Sequence, residues 1–242
     1  MKQCNFEILE NSRIAKDVYK MILKGDTSDI TNCGQFVNIR LDGKYLRRPI
    51  SVCDYNGENL TLIYKVVGSG TEILAGLKSG TLDVLTGLGN GYDITKNFNS
   101  ALLVGGGVGV PPLYNLAKKL IASGKKVCVV LGFNTADEIF LADEFASLGV
   151  DVRVTTADGS FGTKGFVTDA LSGLDYDYFF TCGPEPMLKA LYNATSVSGQ
   201  FSFEERMGCG FGACMGCSCK TVTGYKRICK DGPVLEKEEI LW

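Results

Sequence analysis

The chain of 242 residues carries 25 Lys and Arg against 27 Asp and Glu, and it has no histidine. The missing histidine excludes Ser-His-Asp and Cys-His nucleophile pairs and any His-ligated zinc, haem or Rieske-type centre. A net charge of −2 gives no electrostatic footprint for nucleic acid or an anionic membrane surface.

The N-terminal stretch MKQCNFEILENSRIAKDV has neither an apolar run of signal-peptide length nor a small-residue cleavage site. No segment reaches the ~18–20 apolar residues that span a bilayer, so a soluble, unexported, cytoplasmic protein is expected. The ten cysteines then read as metal ligands, reactive thiols or small core residues rather than as disulfides. Residues 1–98 hold five short runs of alternating or β-branched residues, FEILE, DVYKMILK, GQFVNIRL, NLTLIYKVV and TLDVLTGL. Glycine- and asparagine-rich turns separate them, and TEILAGLK is the one helical segment. Many short strands with a single helix predict an antiparallel β-barrel. RRPISV at 47–52 falls in this region. An arginine fork there suits a phosphate and the serine a flavin edge, although taken alone the motif reads first as two surface arginines before a turn proline.

From Asn99 the rhythm changes to strand–helix alternation. SALLVGG, KKVCVVLGF, VDVRVTTAD and YDYFFTCG read as strands, and the segments 111–124, 138–149, 166–174 and 184–196 as helices. That pattern predicts a parallel sheet covered on both faces over residues 99–200. Gly105, Gly106, Gly107 and Gly109 sit between a strand and a helix, where backbone can approach a pyrophosphate at the helix N-terminus. They would also permit simple close packing. In TCGPEPM, Cys182 ends a strand and Gly183 leads into the next helix. A ligand site at a strand end and a buried thiol before a helix are level readings.

Residues 201–242 form a cysteine- and glycine-rich tail. Cys209, Cys214, Cys217 and Cys229 give C-x4-C-x2-C-x11-C, the spacing by which plant-type ferredoxins hold a [2Fe–2S] cluster. Structural zinc sites normally use two short cysteine pairs, and only one C-x2-C is present. Cys219 lies two residues past Cys217, too close for an independent ligand in the same loop, and reads as a packed thiol. The fold class is thus multidomain β plus α/β: an antiparallel barrel, a parallel α/β domain and a cluster-binding segment.

RPIS, GGGVGVPP and CGPEPM in this order resemble the ferredoxin–NADP reductase superfamily. EERMGCGFGACMGCSC and RICKDGPV make the whole chain similar to the electron-transfer subunits of type B dihydroorotate dehydrogenases, which serve pyrimidine biosynthesis. The resemblance implies FAD in the barrel, NAD in the α/β domain and one [2Fe–2S] cluster. It places Arg48, Pro49, Ile50 and Ser51 against the flavin, with Ile63, Tyr64 and Lys65 lining the cofactor and Gly70 and Thr71 at its diphosphate. It assigns Gly107, Gly109, Cys182 and Gly183 to the nucleotide side, with Ser51 and Cys182 flanking the flavin–nicotinamide contact. It assigns Cys209, Cys214, Cys217 and Cys229 to the cluster. Asp137 and Glu138, with no Lys or Arg beside them, favour NAD over NADP. The resemblance further implies an FMN-bearing catalytic partner subunit in a two-plus-two heterotetramer. A reductase subunit of a ferredoxin-linked transhydrogenase, sulfide dehydrogenase or hydrogenase has the same internal build and is the alternative.

Overall fold

Alternating apolar residues close the first third of the chain into a barrel. The computed structural model describes residues 1–242. The barrel strands are β1 (Lys2–Ala15), β2 (Val18–Lys24), β3 (Phe36–Ile39), β4 (Arg48–Asn56), β5 (Asn59–Lys65) and β6 (Thr81–Leu88). They close in the order β1-β2-β5-β4-β3-β6 with every neighbour antiparallel. Phe6, Met21, Val37, Ile39, Leu60 and Leu62 fill the interior. β1 is far longer than FEILE predicts. A register shift between Ile8 and Glu10 bends it, so its first half pairs with β6 and its second with β2. Helix α1 (Ser69–Gly76) caps one end of the barrel, with Leu74 in the core. Asn11 Nδ2 donates to the carbonyls of Leu74 and Leu77 at 2.8 Å each, satisfying acceptors that a helix end leaves free.

The second body is a sheet of seven strands in the order β10-β9-β8-β7-β11-β12-β15. Its members are β7 (Ser100–Gly106), β8 (Lys126–Phe133), β9 (Asp151–Thr156), β10 (Thr163–Lys164), β11 (Tyr178–Cys182), β12 (Gly199–Ser202) and β15 (Val234–Glu236). All neighbours are parallel except β12 and β15. Alternate residues of β7 bury opposite faces. Ala101 and Leu103 pack with helices α2 (Pro111–Ala122) and α3 (Ala142–Ala146), whereas Leu102 and Val104 pack with α4 (Glu185–Ala194). The doubly covered sheet is the expected one.

Two helices are shorter than their patterns predict. Of 138–149 only α3 is α-helical, because Leu141 takes φ 63° and breaks the run. Of 166–174 only Val167–Ala170 coils, as a 3-10 turn held by Asp169 Oδ2 accepting from the Phe166 N–H at 2.7 Å.

The tail is tied to both bodies. After a hairpin of β13 (Ser218–Thr221) and β14 (Gly224–Arg227), it returns as β15 to the sheet edge, pairing Phe201 with Leu235. Asn90, beyond the last barrel strand, holds Val234 from both sides. Its Nδ2 donates to the Val234 carbonyl at 2.8 Å, and its Oδ1 accepts the Val234 N–H at 3.1 Å. Barrel and sheet also meet directly through α2. Asn115 Nδ2 and Lys118 Nζ donate to the two oxygens of Asp54 at 2.6 and 2.7 Å. No helix is long and apolar enough to cross a membrane.

Candidate functional site

Three adjoining features occupy the junction of barrel, sheet and tail. The first is a groove of about 350 Å³ on the barrel, walled by Arg48–Ser51 of β4 and Ile63–Lys65 of β5. Arg48 and Ser51 are half-buried, and Thr71 and Cys182 also line the groove. Gly70 lies under the Arg48 guanidinium, where a Cβ would overlap it. A forked cation stacked over the start of a helix is chemistry that suits a diphosphate. Tyr64 lines the groove with its neighbours and also ties the strand to the barrel interior. Its ring lies in the barrel core, and its hydroxyl donates to Asn11 Oδ1 at 2.9 Å. The groove has one wall that the sequence does not announce: Met207 and Pro233 of the tail and Phe36 of β3.

The second feature is a cavity of about 490 Å³ at the carboxyl ends of the parallel strands, where open α/β sheets take their ligands. Gly106–Gly109 after β7, Phe133 and Asn134 after β8, and Pro184 and Met187 at α4 line it. Gly107 takes φ 52°, a conformation L side chains disfavour. Gly109 presses against the Cys182 carbonyl so closely that a Cβ would overlap it. Thr155, fully buried, turns into the cavity, and its hydroxyl has no partner in the chain. An orphaned donor of this kind is what a bound polar ligand would satisfy. Gly183 does not line this cavity; it borders a smaller one under Trp242.

Of the two acidic residues, only Glu138 faces the cavity. Asp137 points elsewhere and pairs with Lys16 at 3.5 Å. Glu138 meets Lys65 Nζ at 3.1 Å, so a basic group does reach this wall, supplied by the barrel. Lys65, Val108 and Glu204 border both groove and cavity, so the two spaces adjoin across a shared wall. Glu204 is solvent-exposed, yet protein packed around its carboxyl pushes its pKa up. Burial, reinforced by the charge of Glu204, pushes the Cys182 thiol up to about 12. Cys182 is therefore a neutral thiol and not a nucleophile. Glu204 and the loop at Gly165–Thr168 carry no motif by which sequence reading would find them.

The third feature is the cysteine loop. Cys209 Sγ accepts from the N–H groups of Phe211, Ala213 and Cys214 at 3.5, 3.2 and 3.5 Å. Burial opposes ionisation of this thiol, but the N–H groups of Cys214, Phe211 and Ala213 outweigh it and bring its pKa down to about 6. Cys217 Sγ accepts the Cys229 N–H at 3.4 Å, and both residues are buried. The strongest thiol contacts are Cys209 with Cys214 and Cys217 with Cys229, and Cys209 is also close enough to influence Cys229. No three Cys, Asp or Glu side chains gather as the ligands of a single ion would. Two pairs, one for each iron, fit a two-iron cluster held by four thiolates better than one tetrahedral zinc. Gly210 and Gly212 take φ 80° and 91°, so the loop can curl with its N–H groups inward. Arg227 braces it, donating to the Gly212 carbonyl at 3.0 Å while pairing with Asp231 at 2.9 Å. Cys219 stands on β13 and lines the small cavity with Trp242, apart from the four.

Residues 204–241 match the family described as the iron–sulfur cluster binding domain of dihydroorotate dehydrogenase B. Residues 103–192 match the oxidoreductase NAD-binding domain. The chain is 50% identical to the dihydroorotate dehydrogenase B (NAD(+)) electron transfer subunit of Fusobacterium nucleatum, over 97% of this chain and 96% of that one. With the same subunit of Bacillus velezensis it shares 45% identity over 99% of each chain. Among solved structures, an NADH-dependent reduced ferredoxin-NADP oxidoreductase, described for flavin-based electron bifurcation, superposes with a TM-score of 0.89. It is 35% identical and covers 98% of this chain and 90% of its own. The Amycolatopsis cytochrome P450 reductase GcoB shares the fold, with a TM-score of 0.69 at 21% identity over 80% of this chain and 65% of that one.

Proposed function

Since the chain belongs to the family of dihydroorotate dehydrogenase B electron transfer subunits, we propose that it carries electrons from a catalytic dihydroorotate dehydrogenase subunit to NAD+. Oxidation of dihydroorotate to orotate releases two electrons and two protons. NAD+ takes up a hydride, and one proton is left for solvent. A bound flavin supplies the conversion this needs, since it exchanges a hydride with nicotinamide and single electrons with an iron–sulfur cluster.

The chain's own residues bind and orient these groups. Arg48 and the start of α1 at Gly70 and Thr71 hold the FAD diphosphate. Pro49, Ile50, Ser51, Ile63, Tyr64 and Lys65 shape the groove for the rest of the cofactor, and Tyr64 also anchors that strand to the core. Gly107 and Gly109 let the nucleotide approach the backbone, Gly183 sets the α4 turn, and Cys182 with Ser51 flanks the meeting point of the two spaces. Cys209, Cys214, Cys217 and Cys229 ligate the [2Fe–2S] cluster. The domains follow as 1–98 for FAD, 99–200 for NAD and 201–242 for the cluster. None of the ten cysteines is joined in a disulfide, a state that suits a reducing compartment, and we place the protein in the cytoplasm.

The adjacency of groove and cavity at Lys65, Val108 and Glu204 carries this reading, because hydride transfer requires two cofactors held side by side. The ferredoxin-linked alternative is favoured by the 35% identical reductase structure. Identities of 45–50% over nearly the full chain favour the dihydroorotate partner. The deciding experiment joins the purified chain to its catalytic subunit and follows orotate formation. NAD+-dependent orotate with bleaching of flavin and iron–sulfur bands is expected. A colourless, zinc-loaded chain would overturn the proposal, and a coloured chain that gives no orotate but reduces ferredoxin would assign it to the alternative.

A further inference from the structure

One outward face of β3 forms the wall between the barrel groove and the cysteine loop. Val37 and Ile39 enter the barrel core, so Phe36 and Asn38 face the other way. Phe36 lines the groove and packs in the apolar cluster that includes Cys217 and Cys229. Asn38 is only 1% exposed, a costly place for an amide. Its Nδ2 donates to the Cys209 carbonyl at 3.2 Å, and its Oδ1 has no partner in the chain. Gly210 closes on the same amide, where a Cβ would overlap Nδ2. Across the strand pair Asn38 faces Pro49, which has no N–H to offer. The Asn38 carbonyl accepts instead from Arg47 Nη1 at 3.3 Å, and that guanidinium is locked on Asp83 at 2.9 Å.

The strand beside the Arg48–Ser51 segment and the loop of the first cysteine thus meet at one buried side chain. A leucine there would fill the space without an unsatisfied oxygen, so barrel stability does not account for the amide. We propose that Asn38 is a positioning residue: it pins the Cys209 arm of the cluster loop to the flavin-binding barrel and so sets how fast single electrons cross between the two groups. Such transfer weakens steeply with separation, and this hydrogen bond fixes the separation. The proposal rests on the FAD and [2Fe–2S] reading above, and its test keeps the two apart.

The experiment compares the loaded parent chain with Asn38→Leu under anaerobic NADH in stopped flow, and follows iron release from each to a chelator. Flavin bleaching at the parent rate is expected, with the later reduction of the cluster slowed several-fold. Iron release should quicken several-fold, and the electron paramagnetic resonance signal of the reduced cluster should shift. Full cluster content with the parent's cluster phase and iron release would overturn the role of Asn38 alone. A parent lacking flavin or cluster would overturn the functional reading beneath it. Asn38→Ser, whose hydroxyl is too short to reach the Cys209 carbonyl, decides the case if the leucine variant does not fold, and parent-like behaviour there overturns the inference equally.

Discussion

The nucleotide cavity and the cysteine loop are neighbours built by opposite means. The cavity stands on the ends of five parallel strands, β9, β8, β7, β11 and β12, of which the central β7 and β11 are buried on both faces. Its shape is a by-product of packing. Residues 208–216 contain no helix or strand. They are held by N–H groups turned toward two sulfurs, by the Arg227 brace and by Asn38. One region is pre-organised by its core, whereas the other takes its order from its own polar contacts and the group it encloses.

Removing the cluster tests that contrast most severely. Cys217→Ser takes away a buried thiol of the four-cysteine set and should abolish iron binding and NAD-linked orotate formation together. NADH should still bleach the flavin at the parent rate, because groove and cavity stand without the loop. Limited proteolysis should then cut near residues 208–216 and spare the barrel. A loop as resistant as the parent's would show that it needs no cluster to order it.

Gly109→Ala attacks the other region. A Cβ there overlaps the Cys182 carbonyl, so the two turns that frame the cavity must separate. A displacement on the order of 1 Å can cost ~100-fold in rate, and NADH-driven flavin reduction should fall by about that factor. Iron content should not change. Arg48→Ala should act less strongly, weakening FAD retention by roughly ten-fold through loss of a charge-assisted contact. Equilibrium dialysis of the flavin measures it.

The same contrast explains what the sequence makes legible. β7, β8 and β11 are uninterrupted apolar runs because they are buried on both sides, and the glycine turn at 105–109 marks the cavity's floor. The cysteine spacing is visible because ligand geometry leaves little freedom. Helix 138–149 misleads because its apolar periodicity continues through Leu141, whose left-handed conformation no propensity reveals. Glu204, Thr155 and Asn38 have no motif at all. Each gains its place from chain segments brought together by topology, Asn38 from a loop 171 residues away.

The smallest expected effect probes the barrel side of the wall. Asp83 accepts from Arg47 at 2.9 and 3.0 Å, and chiefly through that hydrogen bond its pKa lies below the ordinary carboxylate range. A carboxylate with a depressed folded pKa stabilises the protein above its unfolded value, ~3.9, and loses that contribution as pH falls through the folded one. Asp83→Asn should therefore cost about 1 kcal/mol at pH 7. The gap in melting temperature between parent and variant should narrow progressively below about pH 4. Arg47 also serves the Asn38 carbonyl, so the variant should speed iron release slightly at pH 7. Unchanged iron release alongside the stability loss would mean that the barrel charges and the cysteine loop are mechanically separate, and that the Asn38–Cys209 contact holds the loop without help from the ion pair behind it.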